Sequence, residues 1–154
     1  HDGKLQEWPG MYDNVQRLNH LCDSGTEYDG LKIWGSPWTC TFNGINPMCT
    51  AFTLESDQAL SKKWEMIPDD TDILVTHSPS WGNYDVINYK GSLYSVGSLS
   101  LWLKTVEIRP KLHVYGHIHE GYGHIRHANG IYLANCSHVN EKYKPMNDPV
   151  RVIL

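Results

Sequence analysis

The stretch Arg109-Pro110-Lys111-Leu112-His113-Val114-Tyr115-Gly116-His117-Ile118-His119-Glu120-Gly121-Tyr122-Gly123 decides the fold. Arg109-Pro110 closes whatever precedes it. Residues 111–115 then read as a short apolar strand, and two imidazoles follow with one residue between them. Upstream, Ile73-Leu74-Val75-Thr76 is a second apolar run, and it leaves through His77-Ser78-Pro79. Between the two runs, residues 93–108 hold Leu99, Trp102, Leu103 and Val106 at helical spacing. Residues 72–115 therefore predict one β-α-β unit with a right-handed crossover. Short continuous apolar strands suit the interior of a parallel sheet. Open sheets of that kind bind ligands at the carboxyl ends of their strands, where His77 and His117 fall.

Working outward, residues 11–21 predict a short helix through Val15, Leu18 and Leu21. Asp29-Gly30 marks a turn, and residues 31–34 predict a strand ended by Gly35-Ser36-Pro37. Residues 38–50 are too irregular to assign. Residues 55–67 predict a helix with Leu60, Trp64 and Ile67 on one face, limited by Pro68. A loop follows His77 as far as about Gly91. Beyond the histidine pair, residues 122–126 and 131–134 predict strands joined through Asn129-Gly130, and residues 150–154 a further strand. Parallel units followed by antiparallel hairpins predict an α/β protein of layered sheets with outer helices.

A length of 154 residues fits one domain. With 40% apolar residues and a formal charge of -4, the chain has the balance of a soluble globular protein. It has no basic tract, which argues against a nucleic-acid duplex as partner. No apolar stretch approaches the roughly 20 residues of a membrane span. The four cysteines form no CxxC, so free thiols in a cytoplasmic protein are expected, with a Cys40–Cys49 disulfide left open. The chain opens on His1-Asp2-Gly3 and stops on an apolar run, the pattern expected of a fragment of a longer polypeptide.

Imidazoles bind a metal when their lone pairs converge within about 2.0–2.1 Å of one ion. In an extended segment His117 and His119 point the same way, while Ile118 turns into the core. Gly116, Gly121 and Gly123 allow close passage of backbone. His20, His113, His124, His127 and His138, taken singly, read as polar surface or hydrogen-bonded core, with His113 facing a helix or solvent. A two-metal site also needs anionic oxygens. Asp2, Asp23, Asp72, Asp85 and Glu120 are the candidates. Asp72 lies at the wrong end of its strand, Asp85 lies in the loop over the site, and Glu120 is expected to point away from His119. None serves as a bridging ligand, so the missing oxygens are expected from residues outside this chain.

The long block quoted first, with Thr76-His77-Ser78-Pro79 and Leu31-Lys32-Ile33-Trp34-Gly35-Ser36-Pro37-Trp38, resembles the calcineurin-like metallophosphoesterase family, and within it the small metallophosphoesterase-domain-containing branch. The resemblance covers nearly the whole chain. It implies the family's four-layer α/β/β/α sandwich, with residues 1–154 as the C-terminal half of a single domain. It also implies a partner: the N-terminal half, in cis or as a separate chain. By the family's block order His77 and His117 would bind one metal and His119 the other. His1 would be the catalytic histidine that meets the phosphate or leaving group.

The implied cofactors are two divalent transition metals, manganese foremost, with iron, cobalt, nickel or zinc as alternatives. The implied reaction is hydrolysis of a phosphoester, a nucleotide phosphodiester or a small phosphomonoester, by a metal-bridging hydroxide. Trp38, Asn43 and Trp81 are the candidate substrate contacts. Trp38 and Trp81 either stack a nucleobase or pack their own loops. Some members of the branch carry Gly in place of His117 and are weak enzymes, whereas this chain keeps the histidine. Two other readings stay open: a non-catalytic regulatory or scaffold protein of the same fold, and a mononuclear metal-binding module.

Overall fold

The computed structural model describes residues 3–8, 11, 18–42 and 49–154. Its strands are β1 (Ser24–Tyr28), β2 (Leu31–Ser36), β3 (Thr39–Cys40), β4 (Thr53–Leu54), β5 (Ile73–Thr76), β6 (Val86–Tyr89), β7 (Ser92–Ser95), β8 (Leu112–Tyr115), β9 (Gly123–Arg126) and β10 (Tyr132–Asn135). Its helices are α1 (Gly3–Glu7), α2 (Asp57–Trp64) and α3 (Leu99–Ile108).

Six strands form one mixed sheet in the order β1-β2-β5-β8-β10-β9. β2, β5, β8 and β10 run parallel, and β1 and β9 close the edges antiparallel. The two apolar runs of the sequence thus occupy interior positions, with parallel neighbours on both sides. β3 pairs with β4, and β6 pairs with β7, as separate two-stranded ribbons.

Local chemistry explains where the elements stop. Asp29 and Gly30, at φ 51° and 75°, form the two-residue turn that joins Tyr28 to Leu31. Both central residues have positive φ, as the turn that matches strand twist requires. Ser56 caps α2 by accepting from the Ala59 N–H, and Ser98 caps α3 by accepting from Leu101. α3 ends on Arg109 in the left-handed region, just before Pro110.

The sheet has two unlike faces because side chains alternate. Trp34, Leu74, His113 and Leu133 share one row across β2, β5, β8 and β10. Leu74 on that face joins Leu60 and Trp64 of α2, Ile67, and Leu101 of α3 in a continuous core. The other face carries Gly35, Val75, Val114 and Ala134 in register. Val75 is 39% exposed there, although β5 is an interior strand.

Several expectations are corrected. Residues 93–95 of the expected helix are strand instead, because Lys90-Gly91 makes a second two-residue turn, at φ 52° and 83°, between Tyr89 and Ser92. Helix α3 therefore starts at Leu99. Residues 38–50 are not wholly irregular, since Thr39 and Cys40 pair with Thr53 and Leu54. Residues 150–154 form no strand. No described neighbour pairs with their backbone, and Ile153 is 83% exposed. Residues 12–17 of the expected first helix lie outside the described residues, and residues 18–21 are not helical. All four cysteines are free, so the Cys40–Cys49 option is not realised. No helix among the described residues is long and apolar enough to cross a membrane.

Candidate functional site

Parallel pairing brings the ends of β2, β5 and β8 to one edge, and the backbone just beyond them stays tied. The His77 N–H donates to the Ser36 carbonyl at 3.1 Å, and Gly116 N–H donates to the His77 carbonyl at 3.2 Å. His77 is therefore held on both sides at the carboxyl end of the sheet. Its Nε2 lies 2.9 Å from Nδ1 of His117, with ring centroids 4.6 Å apart.

His117 does not continue the strand. Its φ is 68°, and the Ile118 N–H donates to the Gly116 carbonyl at 2.8 Å. A bond from residue i to i+2 around a positive φ is the rarer, strained form of the γ-turn. A non-glycine residue there stores roughly 1–3 kcal/mol. The turn replaces the extended segment expected from the sequence, and a 3₁₀ turn over His119–Gly121 follows it directly. Ile118 is buried in the core, as expected.

Buried residues hold this irregular backbone. Asn135, at the end of β10, is wholly enclosed. Its Nδ2 donates to the Ile118 carbonyl at 2.8 Å and to the Tyr84 carbonyl at 3.1 Å. Its Oδ1 accepts from Ser137 N and Oγ. Gly121 lies so close to Tyr84 that any Cβ would collide with the Tyr84 carbonyl oxygen. Asn135 thus acts on the histidine loop through its backbone, not on a ring nitrogen.

Burial, reinforced by neighbouring His77 and His119, pushes His117 down to about 3, so its imidazole is neutral and keeps a lone pair. A cavity of about 370 Å³ opens here. His77, His117, His119, Phe42, Cys49, Ile87, Glu120, Glu141 and Tyr143 line it. Phe42 leans on His117 with centroids 5.0 Å apart, and Tyr143 meets His119 edge-on at 4.9 Å.

The spacing of the pair is compatible with two ligands of one ion, and equally with an N–H donated from one ring to the other. Two nitrogens bound at about 2.1 Å stand about 3.0 Å apart in cis octahedral positions and about 3.4 Å apart in tetrahedral ones. The 2.9 Å spacing lies near the octahedral value. Among the described residues no group of three His, Cys, Asp or Glu side chains is arranged to hold an ion, so His119 shares the cavity without joining the pair.

The other candidates fall as follows. His1, Asp2 and Asn43 lie outside the described residues. Trp38 donates from Nε1 to Asp23, packs edge-on against Phe52 and lies under the Lys63 ammonium of α2. Trp81 is exposed, and neither tryptophan lines the cavity. Asp85 does not reach the site. It is enclosed, and Gly82 N, Gly97 N and Ser95 Oγ all donate to it. Asp72 sits at the amino end of its strand, where Lys32 N–H and Lys111 hold its carboxyl below the usual range. Glu120 is exposed and lies among the residues that line the cavity.

Metallophosphoesterase domain-containing protein 1 of Homo sapiens is 40% identical over 152 residues, 95% of this chain and 44% of that protein. The chain belongs to the calcineurin-like metallophosphoesterase family. The Mus musculus protein of the same name matches this chain to the same extent. A UPF0046 protein of Caenorhabditis elegans, T07D4.2, is 37% identical over 138 residues, 90% of this chain and 33% of its own length. A solved crystal structure shares the fold at TM-score 0.51 and 13% identity, over 76% of this chain and 45% of that one. No family model matches the chain. The chain spans less than half the length of the first of these relatives.

Proposed function

We propose that the full-length protein hydrolyses a phosphoester, either a nucleotide phosphodiester or a small phosphomonoester. His77, His117 and His119 contribute to a centre of two divalent metals, manganese foremost. The observation that carries this reading is the 2.9 Å approach of His77 Nε2 to His117 Nδ1 at the mouth of a cavity. Metal bound there supplies Lewis acidity and an acidified water for attack on phosphorus. The chain's own part is to present the imidazoles, with the buried, neutral His117 held on a strained turn and Phe42 and Tyr143 packed against His117 and His119. Those two rings, Phe42 against His117 and Tyr143 against His119, also suit an aromatic leaving group such as a nucleobase-bearing alcohol.

The exposed Val75 face supports the four-layer reading. A second sheet, supplied by the rest of the domain in cis or as another chain, would cover it. That second layer would also bring the anionic oxygens that this chain does not gather. Free thiols at Cys22, Cys40, Cys49 and Cys136 fit a reducing, cytoplasmic setting.

The test is elemental analysis and anomalous diffraction of the full-length protein, with turnover of aromatic phosphodiesters measured before and after chelation. The expected result is metal density against His77 and His117, together with turnover that chelation abolishes and Mn²⁺ restores. Turnover indifferent to chelation, or no metal at the pair, would overturn the reading.

A further inference from the structure

His113 is fully enclosed in the sheet, yet it is a histidine. Burial alone pushes it to about 3, so the ring is neutral. Its Nε2 lies 2.9 Å from Thr76 Oγ1. Thr76 Oγ1 in turn donates to the Ser78 carbonyl at 2.7 Å. A hydroxyl has one proton to give. With that proton on Ser78, the contact to His113 is an N–H donated by the imidazole, which fixes the Nε2–H tautomer. The other nitrogen, Nδ1, is then a bare acceptor, and it is buried without a partner. A leucine would fill this space without burying an unpaired polar atom. The histidine's polar character is therefore kept for its bond to Thr76.

That bond has a definite target. Thr76 and Ser78 flank His77, and Ser78 Oγ is paired with Thr39 Oγ1 at 3.0 Å inside the same buried region. The ladder bonds to Ser36 and Gly116 hold the backbone of His77 on the strand side. The line from His113 through Thr76 to the Ser78 carbonyl holds the turn that follows. We propose that His113 and Thr76 are positioning residues that aim His77 at His117, an inference that rests on the metal-centre reading above. The chain of donors gives the His77 side chain one direction and spares the site the cost of ordering it when an ion arrives.

The test uses the full-length protein with Thr76→Val, Thr76→Ser and His113→Leu. Mn²⁺ affinity, the imidazole NMR signals of His77 and His117, and the denaturation midpoint are all measured. Thr76→Val and His113→Leu are expected to weaken Mn²⁺ binding about 10- to 100-fold, as loss of an outer hydrogen-bond partner does, and Thr76→Ser to restore most of it. Both weakening variants should shift the His77 signal. His113→Leu should leave the midpoint unchanged or higher, which a merely structural histidine would not do. Folded Thr76→Val or His113→Leu protein with unchanged affinity and unshifted His77 would overturn the proposal. So would Thr76→Ser behaving like Thr76→Val.

One measurement needs no variant. The ¹⁵N correlation spectrum of the unaltered protein must show His113 protonated at Nε2, and the opposite tautomer would overturn the proposal. Failure of the unaltered protein to bind Mn²⁺, or binding that survives His77→Ala, is a different result. It would count against the metal centre, and the His113 tautomer and the His77 shift would still decide the positioning.

Discussion

His77 Nε2 and His117 Nδ1 stand 2.9 Å apart across 40 positions of sequence. At that distance two neutral rings share one proton, one donating and the other accepting. Two protonated rings would repel each other. An ion bound between the two nitrogens would displace that proton, because both lone pairs must then face the metal.

The γ-turn gives His117 a split between stability and activity. His117→Gly and His117→Ala both remove the ring, and each is expected to lower phosphoester turnover of the full-length protein about 100-fold or more. Only glycine accepts the φ of 68° without strain. His117→Gly should therefore be more stable than His117→Ala by about 1 kcal/mol. Paired denaturation and turnover curves would check this, and equal stabilities would contradict the turn.

Two glycines of the histidine loop should respond in opposite ways. A Cβ on Gly121 meets backbone, the Tyr84 carbonyl, which cannot swing aside. Gly121→Ala is expected to cost about 3 kcal/mol or more by forced overpacking. A Cβ on Gly116 would sit 3.6 Å from Ser137 Oγ, an ordinary contact. Gly116→Ala should stay within about 0.5 kcal/mol of the parent. Urea midpoints of the two variants measure the difference.

Two serine caps differ in what else they carry. Ser56 only accepts from the Ala59 N–H at an exposed position, so Ser56→Ala should cost about 1 kcal/mol. Ser98 caps Leu101 and also accepts from the buried Trp64 Nε1 at 2.9 Å. Ser98→Ala leaves that indole unpaired, and the expected cost is about 2–4 kcal/mol. Denaturation midpoints should rank Ser98→Ala well below Ser56→Ala.

His113 predicts an acid limb to stability. Its folded value of about 3 lies below the ordinary 6.5, with burial as the cause. The groups shown facing it, the Thr76 hydroxyl and the Tyr115 ring, carry no charge. Below about pH 6.5 the unfolded chain takes up a proton that the folded one refuses. Stability is complete above that value and falls toward pH 3, by up to about 1.4 kcal/mol per pH unit from this group. His113→Leu should flatten that slope in denaturation series from neutral to acid pH. An unchanged slope would mean that the histidine is not buried neutral.

The parallel centre was legible because β5 and β8 are short, apolar and terminated by Pro-containing or Gly-containing turns. The meeting of His77 with His117 follows from that pairing. The β6–β7 ribbon was not legible. Lys-Gly is a weaker turn signal than Asn-Gly, and the residues around it fit a helix start equally well. The γ-turn at His117 leaves no mark in sequence, since nothing in a histidine announces a positive φ. Phe42, Glu141 and Tyr143 reach the cavity from distant loops, and only the tertiary fold brings them there. The apolar ending at residues 150–154 shows the limit of β-propensity, which makes a strand only where a neighbour offers hydrogen bonds.

The sequence distance between His77 and His117 also sets when the site comes into being. The two rings meet only where β5 and β8 are paired. On the proposed metal-centre reading, a half-made or misfolded molecule has no seat to offer an ion. Uptake of metal by this pair would then count finished molecules, and so serve as a measure of folding quality as well as of affinity.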